Sequence, residues 1–258
     1  MNIPVVKFEK MTLEDNINTI LDFNKNFTDF DKYLFKMFPE LSNLNKNISK
    51  EEKIKHIKEV VTKKYNSNSL LLEEAVTRYQ KNWDKHNDKY MSSLSEYLNT
   101  QWPESTKTIK TKIGFIPIFP RYLDHFAFST NPYLQEPELI KVTAHEVLHF
   151  LWFKKWMELH PNTPRANFDS PYSIWKYSEM VTDSILNSKE MSNDYPINEK
   201  SYDYFYDIKD GDKLVMNELK KIYEKNDSIE NKINKGYGYV LPFIRISGKG
   251  MTEQKKEI

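Results

Sequence analysis

The sequence predicts an α+β protein that is mostly helical, with an N-terminal helical region (1–104), a small β-sheet followed by two apolar helices (105–190), and C-terminal helices ending in a disordered tail (191–258). Three observations predict this. Between Pro4 and Pro103 there is no glycine, and Pro39 is the one proline, so little interrupts helix. Around Ser105 the text turns β-branched and aromatic. From Pro137 it becomes strongly apolar over a length that only a helix uses well.

Each element has its own signal. In the N-terminal region three or four helices fit, and Ser49 with Glu52 three residues on reads as a capping box opening a helix through Ile54, Ile57 and Val61. Asn68 or Ser69 opens the next, whose stripe of Leu72, Val76, Tyr79, Trp83, Tyr90, Leu94 and Leu98 predicts one long helix ending near Trp102-Pro103. Thr106–Phe119 and Arg121–Thr130 predict two or three strands, which Pro117 and Pro120 keep short. Pro137 suits a first helical position, and the run to Leu159 predicts a buried helix that Pro161 and Pro164 break. Ser170-Pro171 starts another, reaching Leu186; Asp212–Glu224 predicts a further helix, and Gly248–Ile258 a frayed tail.

Composition limits the function classes. Leu, Ile, Val and Phe make up about 26% of the chain, enough to exclude wholesale disorder. Lys plus Arg (38) nearly cancels Asp plus Glu (37), which leaves no bulk field to recruit nucleic acid or an anionic membrane. The absence of cysteine removes disulfides, thiol nucleophiles and Cys-ligated zinc together. The start lacks the apolar core of a secretion signal, and no run reaches the ~18 apolar residues that span a bilayer, so the expectation is a cytoplasmic protein without a membrane partner.

The chemistry concentrates in His145-Glu146-Val147-Leu148-His149, inside the most apolar predicted helix. Four residues advance a helix by about 400°, so His145 and His149 project from one face, where both can reach one ion. Glu146 lies about 100° round the axis, which suits a base acting on a water activated by that ion. Shuffling this composition yields the pattern about 0.012 times per chain. The bland reading is a pair of satisfied core histidines. A zinc ion needs a third protein ligand, and the next helix offers Glu179 and Asp183, one turn apart on one face. One acid can ligate while the other accepts the outer N–H of a ligand histidine.

These two motifs, H-E-x-x-H at 145–149 and E-x-x-x-D at 179–183, resemble the gluzincin branch of zinc metallopeptidases, the thermolysin-like group. The resemblance covers about Thr106 to Asn187. It implies a zincin-like catalytic core at 105–190, with His145, His149 and Glu179 as Zn2+ ligands, Glu146 as general base and Asp183 steadying a ligand histidine. It also implies a sheet whose edge strand pairs with an extended peptide substrate, a place that Phe126, Ala127, Phe128 and Ser129 occupy. A metzincin would carry Gly at position 152 and His at 155; these are Trp152 and Lys155, which excludes that branch.

Thermolysin-like enzymes use a later histidine to stabilise the tetrahedral intermediate, and no histidine follows His160 here. The donor must then be Tyr172, Tyr177, Tyr202, Arg165 or a residue from elsewhere. The aromatic cluster Tyr202, Tyr204, Phe205 and Tyr206 reads as packing. The expected function is a zinc-dependent hydrolase, foremost a peptidase acting on peptide or protein substrates. Two alternatives stand beside it: a non-catalytic helical interaction protein with a structural or inactive zinc site, and a zinc hydrolase of a non-peptide amide or ester.

Overall fold

The computed structural model describes residues 2–27, 29–43, 48–192 and 197–245. The tail expected to fray lies outside them. In chain order the elements are β1 (Val5–Lys10), α1 (Leu13–Asn26), α2 (Phe30–Met37), α3 (Lys50–Ser67), α4 (Ser69–Asp84), α5 (Asn87–Tyr97), β2 (Thr108–Ile113), β3 (Arg121–Tyr122), β4 (Ala127–Thr130), α6 (Glu136–Leu159), α7 (Ser173–Leu186), α8 (Lys189–Ser192), β5 (Lys209–Asp210), β6 (Lys213–Leu214), α9 (Val215–Glu224) and α10 (Ile229–Ile244). The α+β, mostly helical class is as the sequence predicts. No helix among the described residues is long and apolar enough to cross a membrane.

Two compact units divide the chain, and both are discontinuous. One takes Val5–Lys85 with Thr108–Glu136; the other takes His86–Lys107 with the chain from Pro137 onward and the first few residues. They cut across the three consecutive segments expected from the sequence, because the sheet recruits a strand from the extreme N-terminus while the region after Asp84 packs with the later helices.

In the first unit, the sheet runs in the order β1-β2-β4-β3. β1 and β4 flank β2 in parallel, with Val6 opposite Ile109 and Thr111 opposite Phe128; β3 pairs antiparallel with β4. The alternation of buried Val6 and Phe8 with exposed neighbours marks β1 as a half-buried strand. Its outer edge is closed by a side chain: Gln80 of α4 donates to the Val6 carbonyl and accepts from the Phe8 N–H, both at 3.0 Å. Next to the sheet, the buried Asn16 amide brackets Phe115, accepting from its N–H at 2.7 Å and donating to its carbonyl at 3.0 Å. Gly114 leaves room for this bracket, since a Cβ there would stand 2.7 Å from Met11 Sδ and 2.9 Å from Asn16 Oδ1. The predicted capping box is present, with Ser49 and Glu52 exchanging side-chain bonds at the start of α3.

The single helix expected from Asn68 to Trp102 is two. α4 stops at Asp84 and α5 begins at Asn87, so the stripe of Tyr79 and Trp83 belongs to the sheet unit and that of Tyr90 and Leu94 to the other. Periodicity alone could not reveal the break, because both pieces keep their apolar spacing.

In the second unit, α6 is buried over most of its circumference, from Thr143 through Trp156. On α7, Tyr177 faces the packed interior, edge-on to Trp152 with ring centroids 5.6 Å apart. Its hydroxyl lies 2.8 Å from that of Tyr223 on α9 and donates to the Ile233 carbonyl of α10 at 3.0 Å. Gly236 on α10 is what lets that hydroxyl approach, since a Cβ there would collide with it. Lys155 of α6 is nearly buried and is held by the Glu230 carboxylate and the Asn99 carbonyl. Trp152 and Trp156 thus pack α6 against Tyr177 of α7, which α9 and α10 hold from its hydroxyl end.

Candidate metal centre

α6 and α7 bring the three expected ligands together. His145 Nε2 lies 3.1 Å from His149 Nε2 and 3.2 Å from Glu179 Oε2, and His149 Nε2 lies 3.4 Å from the same oxygen. Ligands placed tetrahedrally about 2.0–2.1 Å from a zinc ion stand about 3.3–3.4 Å apart, so this triangle has the size that such an ion needs. His149 is wholly buried, its ring stacked on Phe153, and the Glu179 side chain is 3% exposed. His145 is the most open of the three, at 19%.

Electrostatics favour a cation at the same point. Burial opposes charge on His145, but its hydrogen bonds to Glu179 and Glu199 outweigh burial and raise its pKa from 6.5 to about 10, with the charge of Glu146 adding to the effect. Glu179, Glu199 and Glu146 thus all act on His145, and the donor set of two nitrogens and one oxygen could hold a metal ion of the borderline class to which zinc belongs. Glu146 is itself buried, one residue beyond His145 on α6.

One neighbour was not anticipated. Glu199, in the irregular segment after α8, places Oε1 3.0 Å from His145 Nδ1, the ring nitrogen turned away from the triangle. This corrects the expectation for Asp183. The two oxygens of Asp183 accept instead from Asn187 Nδ2 and from the Tyr206 hydroxyl, each at 2.6 Å, and not from a ligand histidine. The reason is positional: the 197–206 segment lies against α7, bonded to Asn187, to the Glu179 carbonyl and to Asp183, and its Tyr206 hydroxyl takes one of the Asp183 oxygens. Ile197, Glu199 and Ser201 are buried while Asn198 and Lys200 are exposed, a strand-like alternation. The sequence hides it because the inward residue is a charge.

The expected transition-state donors fare variously. Tyr177 is excluded: it sits about 200° round α7 from Glu179, and its hydroxyl is committed to Tyr223 and Ile233. Tyr172 is the extended N-cap of α7, seven residues before Glu179. Arg165 pairs with Asp169 at 3.0 Å. Tyr202 stacks on Tyr204, ring centroids 5.7 Å apart, and is half exposed. Tyr204, in the same segment, is half exposed as well and packs its ring on Phe205, centroids 4.2 Å apart. Ser201 Oγ donates to the Glu179 carbonyl and Tyr206 bonds Asp183, so Tyr204 is carried between two anchors on α7. Burial and then the Glu179 charge push its phenol up to about 12.

The strand expected to receive substrate is also corrected. Ala127–Thr130 is interior, with β2 on one side and β3 on the other, and the Ser129 N–H donates to the Pro120 carbonyl at 2.9 Å. Phe126 precedes the strand in a left-handed turn, φ 44°. The two free edges of this sheet are β1, which Gln80 covers, and β3, which is two residues long.

No family model, no curated protein and no solved structure matches the chain.

Proposed function

We propose that this protein is a zinc-dependent hydrolase acting on peptides. The observation that carries the reading is the triangle of His145 Nε2, His149 Nε2 and Glu179 Oε2, with sides of 3.1, 3.2 and 3.4 Å, set among carboxylates. The order of the motifs along the chain, and their likeness to the gluzincins, supports peptide as the substrate. When bound, the ion supplies Lewis acidity, making water a nucleophile near neutral pH and polarising a carbonyl. His145 and His149 present neutral Nε2 lone pairs to it, and Glu179 one carboxylate oxygen. Glu146 takes the proton from the attacking water and returns it to the leaving amine. Glu146 and Glu179 are both buried, which strengthens their interactions with a cation held between them.

The experiment is metal analysis and turnover on one set of variants, with a peptide library as substrate. Glu146→Gln keeps about one ion per chain and loses turnover; His149→Ala and Glu179→Ala lose the ion. Full activity in Glu146→Gln refutes the mechanism. The near-complete burial of His149 and Glu179 favours a second reading, a closed structural ion, and a holo-protein that binds metal and cleaves nothing would establish it.

A further inference from the structure

The acid that would steady a ligand histidine from α7 is turned elsewhere, and a different carboxylate has its place. Glu199 meets His145 Nδ1 at 3.0 Å with its own side chain 2% exposed. Its position is imposed by two reciprocal bonds: Asn187 Nδ2 donates to the Glu199 carbonyl and the Glu199 N–H donates to Asn187 Oδ1, each at 2.8 Å. Asn187, which caps the C-terminus of α7, is aimed by Asp183 at 2.6 Å, and Asp183 is in turn held by the Tyr206 hydroxyl, which accepts from the Ser201 N–H at 3.1 Å. On the opposite side Lys141, one turn before His145 on α6, lies 3.7 Å from Glu199 Oε2.

We propose that Glu199 is the positioning residue of His145, and that Asp183, Asn187 and Tyr206 act on the metal centre only through it, as a relay from Tyr206 to Asp183 to Asn187 to Glu199 to His145. The proposal rests on the metal centre of the preceding section. A carboxylate accepting the Nδ1 hydrogen holds the imidazole in the tautomer whose Nε2 lone pair points into the triangle, and removing such a partner typically weakens metal binding 10- to 100-fold. Side chains that touch no ligand therefore set the affinity. By linkage, the ion in turn holds the 197–206 segment against α7.

The test is the affinity of the full-length, metal-stripped chain for Zn2+, read by competition with a chromophoric chelator, alongside thermal unfolding of each variant. Glu199→Ala weakens binding 10- to 100-fold, and Glu199→Gln, which keeps an acceptor for the imidazole N–H, recovers most of the loss. Asn187→Ala weakens binding several-fold in the native background and adds nothing to Glu199→Ala. Wild-type affinity in Glu199→Ala, or multiplying effects of the two substitutions, overturns the relay while leaving the metal centre intact. A wild-type chain that binds no Zn2+ removes the metal centre itself. Should Glu199→Ala fail to fold, Tyr206→Phe decides: it keeps the ring and loses only the hydroxyl, and unchanged affinity there overturns the relay.

Discussion

α10 contains two interior glycines, and the structure gives them opposite roles. At Gly238 nothing lies within 4 Å of a Cβ, so Gly238→Ala gains only the helix preference of alanine, about 0.5–1 kcal/mol. At Gly236 the new methyl strikes the Tyr177 hydroxyl and comes within 3.1 Å of Leu219 Cδ1. Overpacking of this kind costs about 1–3 kcal/mol. Tyr177 cannot yield cheaply, because its buried hydroxyl bridges Tyr223 and Ile233, and displacing such a group costs a further ~1–3 kcal/mol. After the propensity gain is subtracted, Gly236→Ala is destabilised by about 3 kcal/mol. For a chain of this size 1 kcal/mol moves Tm by about 2–4 °C, so thermal melts should fall by about 6–12 °C for Gly236→Ala and rise by about 1–4 °C for Gly238→Ala. Equal shifts in the two variants, or a more stable Gly236→Ala, would refute the packing argument for Tyr177 on the glutamate helix.

Three further outcomes follow from the same contacts. Zn2+ at about 100 times its Kd adds about 2.7 kcal/mol to the unfolding free energy of chelator-stripped protein, and an unmoved melting curve would sink the metal centre. Lys155 pulls the Glu230 carboxyl down from 4.5 to about 2, so this pair stabilises the fold above pH 4.5 and its contribution fades as pH falls toward 2. Urea titrations should show Glu230→Gln less stable by about 1–2 kcal/mol at pH 7, with the gap closing at low pH; a pH-independent gap contradicts the linkage. Asn16→Ala strands the buried N–H and carbonyl of Phe115 and should cost about 2–4 kcal/mol in the same assay, with a loss under 1 kcal/mol refuting the bracket.

What was readable in the sequence was local. The capping box of Ser49 and Glu52, the proline-limited ends of α6, and the one-turn spacing of His145 and His149 all depend on residues within a few positions of one another, where helix geometry determines the outcome. What escaped depends on distant partners or on residues that break the usual signals. β1 alternates as a strand should, yet its partner lies across the Val5 to Thr108 pairing, which no short window contains. α10 holds Gly236, Gly238 and Pro242, three breakers in a helix whose start is capped by Ser228. Glu199 was invisible for a different reason: its function depends on an irregular segment whose inward residue is charged, so hydrophobic pattern has nothing to register. Asp183 stood at the expected spacing and still serves another partner, because spacing fixes the face of a helix and not what else is laid over it.

Because β1 is an N-terminal strand whose hydrogen-bonding mate arrives with Thr108, the growing polypeptide must carry Val6 and Phe8 unpaired on one side for much of its synthesis. α1 to α4 can condense early, and Gln80 can shield the far edge, but the inner edge waits as a bare ladder of amides and carbonyls. A fragment that ends before Thr108 would retain that open ladder for good, and self-association through it is the expected fate of such a piece.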